Sequence, residues 1–310
     1  MTAATAPFRH PALFYRDADE YLAGTVEFIT TGLRRGEPVA VAVPTWNLEL
    51  LRDALGTQAG AVRLLDMTVE GRNPGRIIPG VLRAFADRHR TRRVRIIGEP
   101  IWAGRSALEY PACAQHEALI NAAFAGREAT ILCPYDLTHL PPHMIADAYA
   151  THPVLIDRGA ETRSAAYDPE HVVAAYNRPL PEPPAGALRL EFDAADLARV
   201  RHAAVEFAGR SGMGEPRVDD LELIVGEATA NSVVHGGGGS GTLALWTEEG
   251  RLCCRISDAG HITDPLAGRL PAPARTAGGR GLLLINQLAD LVRIHTGPSG
   301  TTLLVQLALD

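Results

Sequence analysis

At 310 residues, with 46% hydrophobic residues and a formal net charge of −6, the chain has enough apolar material for a sizeable core and favours two domains of ordinary size over one. No apolar run approaches the roughly 18 residues that a membrane span needs, and no basic run supplies the phosphate attraction behind nucleic-acid binding. The N-terminal Met-Thr-Ala-Ala-Thr-Ala-Pro lacks the layout of a secretion signal, so a cytoplasmic protein with protein and small-anion partners is expected, and neither membrane nor nucleic acid is among them. The cysteines Cys113, Cys133, Cys253 and Cys254 include no Cys-x-x-Cys pair. Buried free thiols are expected, with neither a zinc site nor a disulfide framework.

From residue 11 to about 156, short β-branched apolar runs alternate with longer amphipathic stretches. Strands are predicted at Ala12 to Tyr15, Val39 to Val43, Val62 to Leu65, Val94 to Gly98 and Ala129 to Cys133. Asp17 reads as a helix N-cap, Gly36 as a helix stop, and Asn73-Pro74 as an N-cap with its first helical residue. Strict β/α alternation predicts an α/β domain, a parallel sheet with helices on both faces. The wholly apolar Val39-Ala-Val-Ala-Val43 fits a strand buried on both sides.

Residues 177–187 carry four prolines in eleven positions, which favours extended backbone over packed structure. They are read as a linker between a domain at 1–176 and another at 188–310. Beyond it the pattern runs strand, two helices, two strands, an irregular stretch, a helix and two final strands. Glu249-Gly250 and Pro298-Ser299-Gly300 look like hairpin turns. The second domain is therefore expected to be α+β, a mostly antiparallel sheet with helices on one face.

In that half, Glu227-Ala-Thr-Ala-Asn231-Ser-Val-Val-His235 would set Glu, Asn and His on one helix face. A strand then runs into Asp258-Ala-Gly260, and Gly278-Gly-Arg-Gly281 opens an apolar helix. Taken alone, a Glu-x-x-x-Asn is usually solvated helix surface, an Asp-x-Gly a turn and a Gly-x-Gly a cap. Their common order changes that reading. The carboxamide of Asn231 can ligate Mg²⁺, and Glu227, one turn earlier, is suited to take a proton from an attacking hydroxyl. Asp258 can accept from the amino group of adenine while Gly260 leaves room for the base. Gly279 and Gly281 allow backbone N–H groups to approach phosphate at a helix N-terminus. His235 is read either as part of this site or as a helix C-terminal cap, and Arg269, Arg275 and Arg280 as lid residues within reach of the terminal phosphate.

These boxes, with the terminal Gly300-Thr301-Thr302, resemble those of the GHKL ATPase superfamily of the Bergerat fold, and within it the anti-sigma serine kinases of the RsbW kind. The resemblance implies ATP and Mg²⁺ as cofactors, Asn231 as the metal ligand, Glu227 as the base, and Asp258, Gly260, Gly279, Arg280, Gly281 and Thr301 as nucleotide contacts. Two departures stand out. Asp258-Ala-Gly260-His261-Ile262-Thr263-Asp264-Pro265 replaces a second glycine and an aromatic of the common pattern, and Gly236-Gly-Gly-Gly239-Ser-Gly241 follows the first helix.

His10-Pro-Ala-Leu-Phe14-Tyr15, Gly36 to Pro44, Gly98-Glu99-Pro-Ile-Trp102, His116-Glu117-Ala-Leu-Ile-Asn121 and Leu132-Cys133-Pro-Tyr135-Asp136 resemble the MEDS sensory domain, named after methanogen, methylotroph and dichloromethane-regulator proteins. The resemblance implies a RecA-like core, but no Gly-x-x-x-x-Gly-Lys-[Ser/Thr] occurs, so no second phosphate cradle is expected. A small-molecule sensor pocket is read at His10, Tyr15, Glu99, Trp102, His116, Glu117, Tyr135 and Asp136, mostly near the carboxyl ends of strands. Two histidines and a carboxylate scattered over 107 residues do not make a metal site by spacing, and none is expected there.

The combined layout resembles RsbA-type anti-sigma regulatory proteins. It implies a partner switch in which the C-terminal domain holds a sigma factor or phosphorylates a STAS-type anti-anti-sigma protein, with a small-molecule signal read by the first domain. A homodimer through the ATPase half follows by analogy only. The alternative is a nucleotide-dependent binding module without phosphotransfer. A histidine kinase fragment ranks below both, because no dimerising helical hairpin precedes the ATPase module and the linker is too rich in proline for one.

Overall fold

The computed structural model describes residues 7–271 and 279–309, so most of the Met1 to Pro7 stretch, and Arg275 and Gly278 of the lid region, lie outside the described residues. The chain divides between Tyr176 and Asn177 into two compact units.

The first unit is an eight-stranded sheet. Its elements, in chain order, are β1 (Phe8–Arg9), β2 (Pro11–Tyr15), α1 (Ala18–Arg34), β3 (Val39–Val43), α2 (Thr45–Leu55), β4 (Arg63–Asp66) and β5 (Val94–Gly98). There follow α3 (Tyr110–Ala123), β6 (Ala129–Asp136), α4 (Pro142–Thr151), β7 (Val154–Asp157), β8 (Ala160–Arg163) and α5 (Pro169–Ala175). The order across the sheet is β4-β3-β5-β6-β2-β7-β8, with β1 also on β6. All pairings are parallel except β7 with β8.

That edge hairpin was not read from the sequence. Its turn is Arg158-Gly159, both with positive φ, the backbone that a two-residue hairpin requires. The central strands behave as their composition dictates: β2 and β3 are buried at every position. Asp17 caps α1 by accepting from the Glu20 N–H at 2.8 Å. Between β4 and β5 the chain is helical from Pro74 to Arg88, with a wide π segment at Ile77–Arg83.

The second unit comprises β9 (Leu188–Asp193), α6 (Leu197–Arg210), α7 (Glu215–His235), β10 (Ser240–Glu248), β11 (Arg251–Asp258), α8 (Gly281–Leu288), β12 (Leu291–Gly297) and β13 (Gly300–Ala308). The sheet is wholly antiparallel, in the order β12-β13-β11-β10-β9. α7 buries Leu221, Ile224, Val225, Ala228 and Ser232, one stripe at helical spacing. The apolar ones, Leu221, Ile224, Val225 and Ala228, join Val200 and Ala204 of α6, Ile285 of α8, and Leu243, Leu245, Leu252, Cys254, Ile256 and Val305 of the sheet in a single core. The helices thus occupy one face, as expected for the α+β class.

The proline-rich segment carries no helix or strand up to residue 187, yet it is packed against the second unit. Leu180 is buried, Glu182 pairs with Arg255 at 2.8 Å, and Arg189 donates to the Pro183 carbonyl at 2.8 Å. Arg255 and Arg189 alternate with core residues along their strands, so this segment runs over the face opposite the helices. Lack of N–H donors keeps proline-rich backbone out of ladders but does not stop it from packing. No helix among the described residues is long and apolar enough to cross a membrane.

Candidate functional site

In the second unit the pieces converge on a cleft of about 500 Å³ whose lining includes Asn231, His235, Asp258, Gly260, Gly279, Gly281 and Thr301. α7 supplies Asn231 and His235, the end of β11 supplies Asp258, and β13 supplies Thr301. The start of α8 supplies Gly281. A Cβ on Gly281 would stand 2.7 Å from Glu227 Oε2 and 2.8 Å from Asn231 Nδ2. Only glycine lets the N-terminus of α8, where N–H groups and the helix dipole favour anions, come this close to the carboxylate and the carboxamide.

Asp258 is fixed from two sides. Ser232 donates to its Oδ2 at 2.6 Å, and the Gly260 N–H donates to its Oδ1 at 2.8 Å. Hydrogen bonds to a carboxylate from a hydroxyl and an amide hold its orientation. Gly260 has no room for a side chain, because a Cβ would lie 2.6 Å from the His235 carbonyl oxygen and 2.7 Å from the Gly236 Cα. Thr301 donates to the Gly260 carbonyl at 2.9 Å and lies 3.0 Å from the Thr296 hydroxyl. Gly300, with φ +120°, lets the β12–β13 turn pass directly over the Asp258 carbonyl.

The unusual His261-Ile262 stretch is also tied down. The Ile262 N–H donates to Thr296 Oγ1 at 3.1 Å, and His261 Nδ1 lies 3.0 Å from the same oxygen. Ser232 and Thr296, which hold Asp258 and the backbone at Ile262, escaped sequence reasoning; Ser232 lies inside the Glu227 to His235 stretch, whereas nothing local marks Thr296. Arg280 is exposed at the N-cap of α8, and Arg269 is buried rather than out in solvent.

The residues read as a sensory pocket fall into two places. Tyr15, Glu99, Trp102 and Asp136, joined by Tyr21, Trp46 and Asn47, line a pocket of about 390 Å³ at the carboxyl ends of β2, β3, β5 and β6. Glu99 is buried at its base, accepting from Tyr15 at 3.2 Å, from Tyr21 at 3.4 Å and from the Asn47 amide at 3.0 and 2.9 Å. Burial pushes its carboxyl up to about 8, against the hydrogen bonds that pull it down. Trp46 is 53% exposed beside it, and Arg105 stacks over Trp102 at 3.8 Å.

His10, His116, Glu117 and Tyr135 do not line that pocket. They are buried in the interior, and His10 and Glu117 gather with Cys133 and His152. The reason is the sheet: His10 precedes β2, at the end of that strand away from the pocket, and Tyr135, next to Asp136 near the end of β6, points to the opposite face of the sheet. Burial, reinforced by the His152 ring, pushes His10 down to about 4, and burial pushes the Cys133 thiol up. All four cysteines are buried and free.

Residues 9–153 match the MEDS family, described as the MEthanogen/methylotroph, DcmR Sensory domain. Residues 190–307 match the histidine kinase-like ATPase domain. No curated protein matches the chain. The first unit is thus a MEDS domain and the second a histidine kinase-like ATPase domain of the GHKL type. The protein they form is a regulatory, ATP-binding one, a sensory domain joined to an ATPase module. Its glycine-lined cleft fits the group that such a domain binds: Asn231 would ligate Mg²⁺, the start of α8 would hold phosphate, and Asp258 would take the adenine amino group.

Proposed function

We propose that the second unit is a protein serine/threonine kinase module that acts on a STAS-type anti-anti-sigma partner, sequesters a sigma factor, or does both, under control of a small molecule bound by the first unit. The observation that carries the reading is the close approach of Glu227 and Asn231 to the Gly281 backbone. It brings a proton acceptor, a magnesium ligand and a phosphate cradle within one site, the parts that phosphoryl transfer needs. Glu227 would take the proton of the attacking hydroxyl as that oxygen accepts the γ-phosphoryl group of ATP, the bond to the β-phosphate oxygen breaking and ADP leaving. The pocket at Glu99 and Trp46 supports a sensor of a small ligand, since it is open at the strand ends and combines aromatic faces with a buried carboxyl. Control of the ATPase half requires that ligand to bind two states of the protein unequally.

One observation favours a second reading, a nucleotide-dependent binding module without transfer. The backbone at Ile262, where related kinases carry a glycine-aromatic hinge, is hydrogen-bonded to Thr296. Incubation with labelled ATP, Mg²⁺ and candidate anti-anti-sigma proteins separates the two. Transfer that Glu227→Ala abolishes while ATP binding persists supports the kinase. Intact ATP binding with no transfer to any candidate, but with an ATP-dependent change in partner affinity, replaces it with the binding module.

A further inference from the structure

His10, at the entry to β2, Glu117 on α3, Cys133 on β6 and His152, just after α4, bring their ligating atoms within 4.8 Å of one another, all with 1% exposure or less. Glu117 Oε2 lies 3.4 Å from His10 Nε2 and 3.2 Å from His152 Nε2, and Cys133 Sγ lies 3.4 Å from His10 Nε2.

The outer ring nitrogens settle which atoms face inward. Asn121 donates its amide nitrogen to the Ala118 and Thr151 carbonyls at 3.1 and 2.8 Å, so its oxygen turns to His10 Nδ1, 3.1 Å away. That oxygen can only accept, so His10 Nδ1 carries a hydrogen. His152 Nδ1 is 2.9 Å from the Ala148 carbonyl, which likewise can only accept. In its neutral form each ring therefore presents a bare Nε2 lone pair to a carboxylate that also has only lone pairs to offer. Consistent with this, neither Glu117 oxygen has a hydrogen-bond partner, and neither does His152 Nε2. Buried acceptors aimed at one another are costly unless a cation lies between them.

We propose that His10, Glu117, Cys133 and His152 form a four-coordinate transition-metal site of the zinc class inside the MEDS unit. Two imidazole nitrogens, a thiolate and a carboxylate suit Zn²⁺ and its near relatives; an oxygen-only set would suit Mg²⁺ or Ca²⁺ instead. With ligand bonds of about 2.0–2.3 Å, tetrahedral geometry separates ligand atoms by roughly 3.3–3.8 Å, and the three short contacts already match that spacing. Thiolate and carboxylate balance the charge of the ion in a site that excludes water. Asn121 and the Ala148 carbonyl orient the two rings from outside, as the second layer of a metal site does. Four protein ligands close the coordination, so the ion is structural or is itself a sensed signal. It ties residue 10 to residue 152, and its binding contributes directly to the folding of the unit.

The test uses the full chain, stripped with chelator and titrated with Co²⁺ and then Zn²⁺. One equivalent should bind, giving the visible bands of tetrahedral Co²⁺ with a thiolate charge-transfer band, and Zn²⁺ should displace the Co²⁺ and raise the melting temperature. Cys133→Ser should lose the charge-transfer band, and Asn121→Ala, a positioning change, should weaken affinity by about 10–100-fold. A stripped wild-type chain that binds neither ion at micromolar concentration overturns the site, whatever the variants do. A charge-transfer band that survives Cys133→Ser overturns the ligand set.

Discussion

Gly236, Gly260, Gly268, Gly279 and Gly281 bring backbone to the wall of the C-terminal cleft, whereas the cluster around Glu117 is made of four side chains with their backbone set back in strands and helices. Backbone N–H groups at a helix start suit a large anion that must enter and leave. Converging, water-free side chains suit a small cation held for long periods. The pocket at Glu99 lies between these extremes, open to solvent at Trp46 but with a buried carboxyl at its base. The two units thus show two ways of making a polar site tolerable: keeping it at the surface, or supplying an opposite charge.

The largest effect should come where the cleft depends on bare backbone. A Cβ on Gly300 would lie 2.0 Å from the Asp258 carbonyl oxygen, at a φ of +120° that other residues rarely adopt. Gly300→Ala is expected to destabilise the second unit by about 4 kcal/mol. Calorimetry should show that unit's transition fall while the other stays in place; an unchanged scan would remove backbone closeness as the basis of the cleft.

Next comes Glu99. Its folded value of about 8 lies above the ordinary 4.5, so between these values the native chain holds a proton that the unfolded chain has lost. The associated stability is full below about pH 4.5 and is lost as pH rises toward 8. Glu99→Gln should flatten that decline in denaturant titrations at several pH values. A variant with the wild-type slope would mean that this carboxyl is not the group responsible.

The smallest effect is the most specific. In Gly281→Ala the added methyl meets only the ends of the Glu227 and Asn231 side chains, which can swing aside without unfolding the helix. ATP affinity in the presence of Mg²⁺ should drop about tenfold by calorimetry, with the fold unchanged. Wild-type affinity would separate the phosphate site from the α8 N-terminus.

The C-terminal half was legible because its signals are local. Glu227, Asn231 and His235 lie at helical spacing, and Asp258 and Gly260 are two residues apart at a strand end. Glu249-Gly250 is a turn by its residue types alone. The β7–β8 hairpin was missed because β8, Ala160–Arg163, is exposed throughout and has no hydrophobic alternation to mark it. The proline-rich segment was read as unpacked because composition reports which hydrogen bonds a chain cannot make and is silent on whether Leu180 finds a place to bury.

The pocket at Glu99 was legible in part. Tyr15, Glu99, Trp102 and Asp136 follow strands whose carboxyl ends form one edge of a parallel sheet. His10 and Glu117 belong elsewhere, with partners at Cys133 and His152 that no spacing rule connects to them.

By itself the sequence determined the two-unit order, the α/β and α+β classes and the nucleotide motif, because each rests on periodicity or on residues one or two turns apart. Only the tertiary structure decided that Cys133 and His152 gather with His10 and Glu117, and that Ser232 and Thr296 hold Asp258 and the backbone at Ile262. Those contacts join residues far apart in the chain, and strand order, which no local pattern encodes, sets which of them meet.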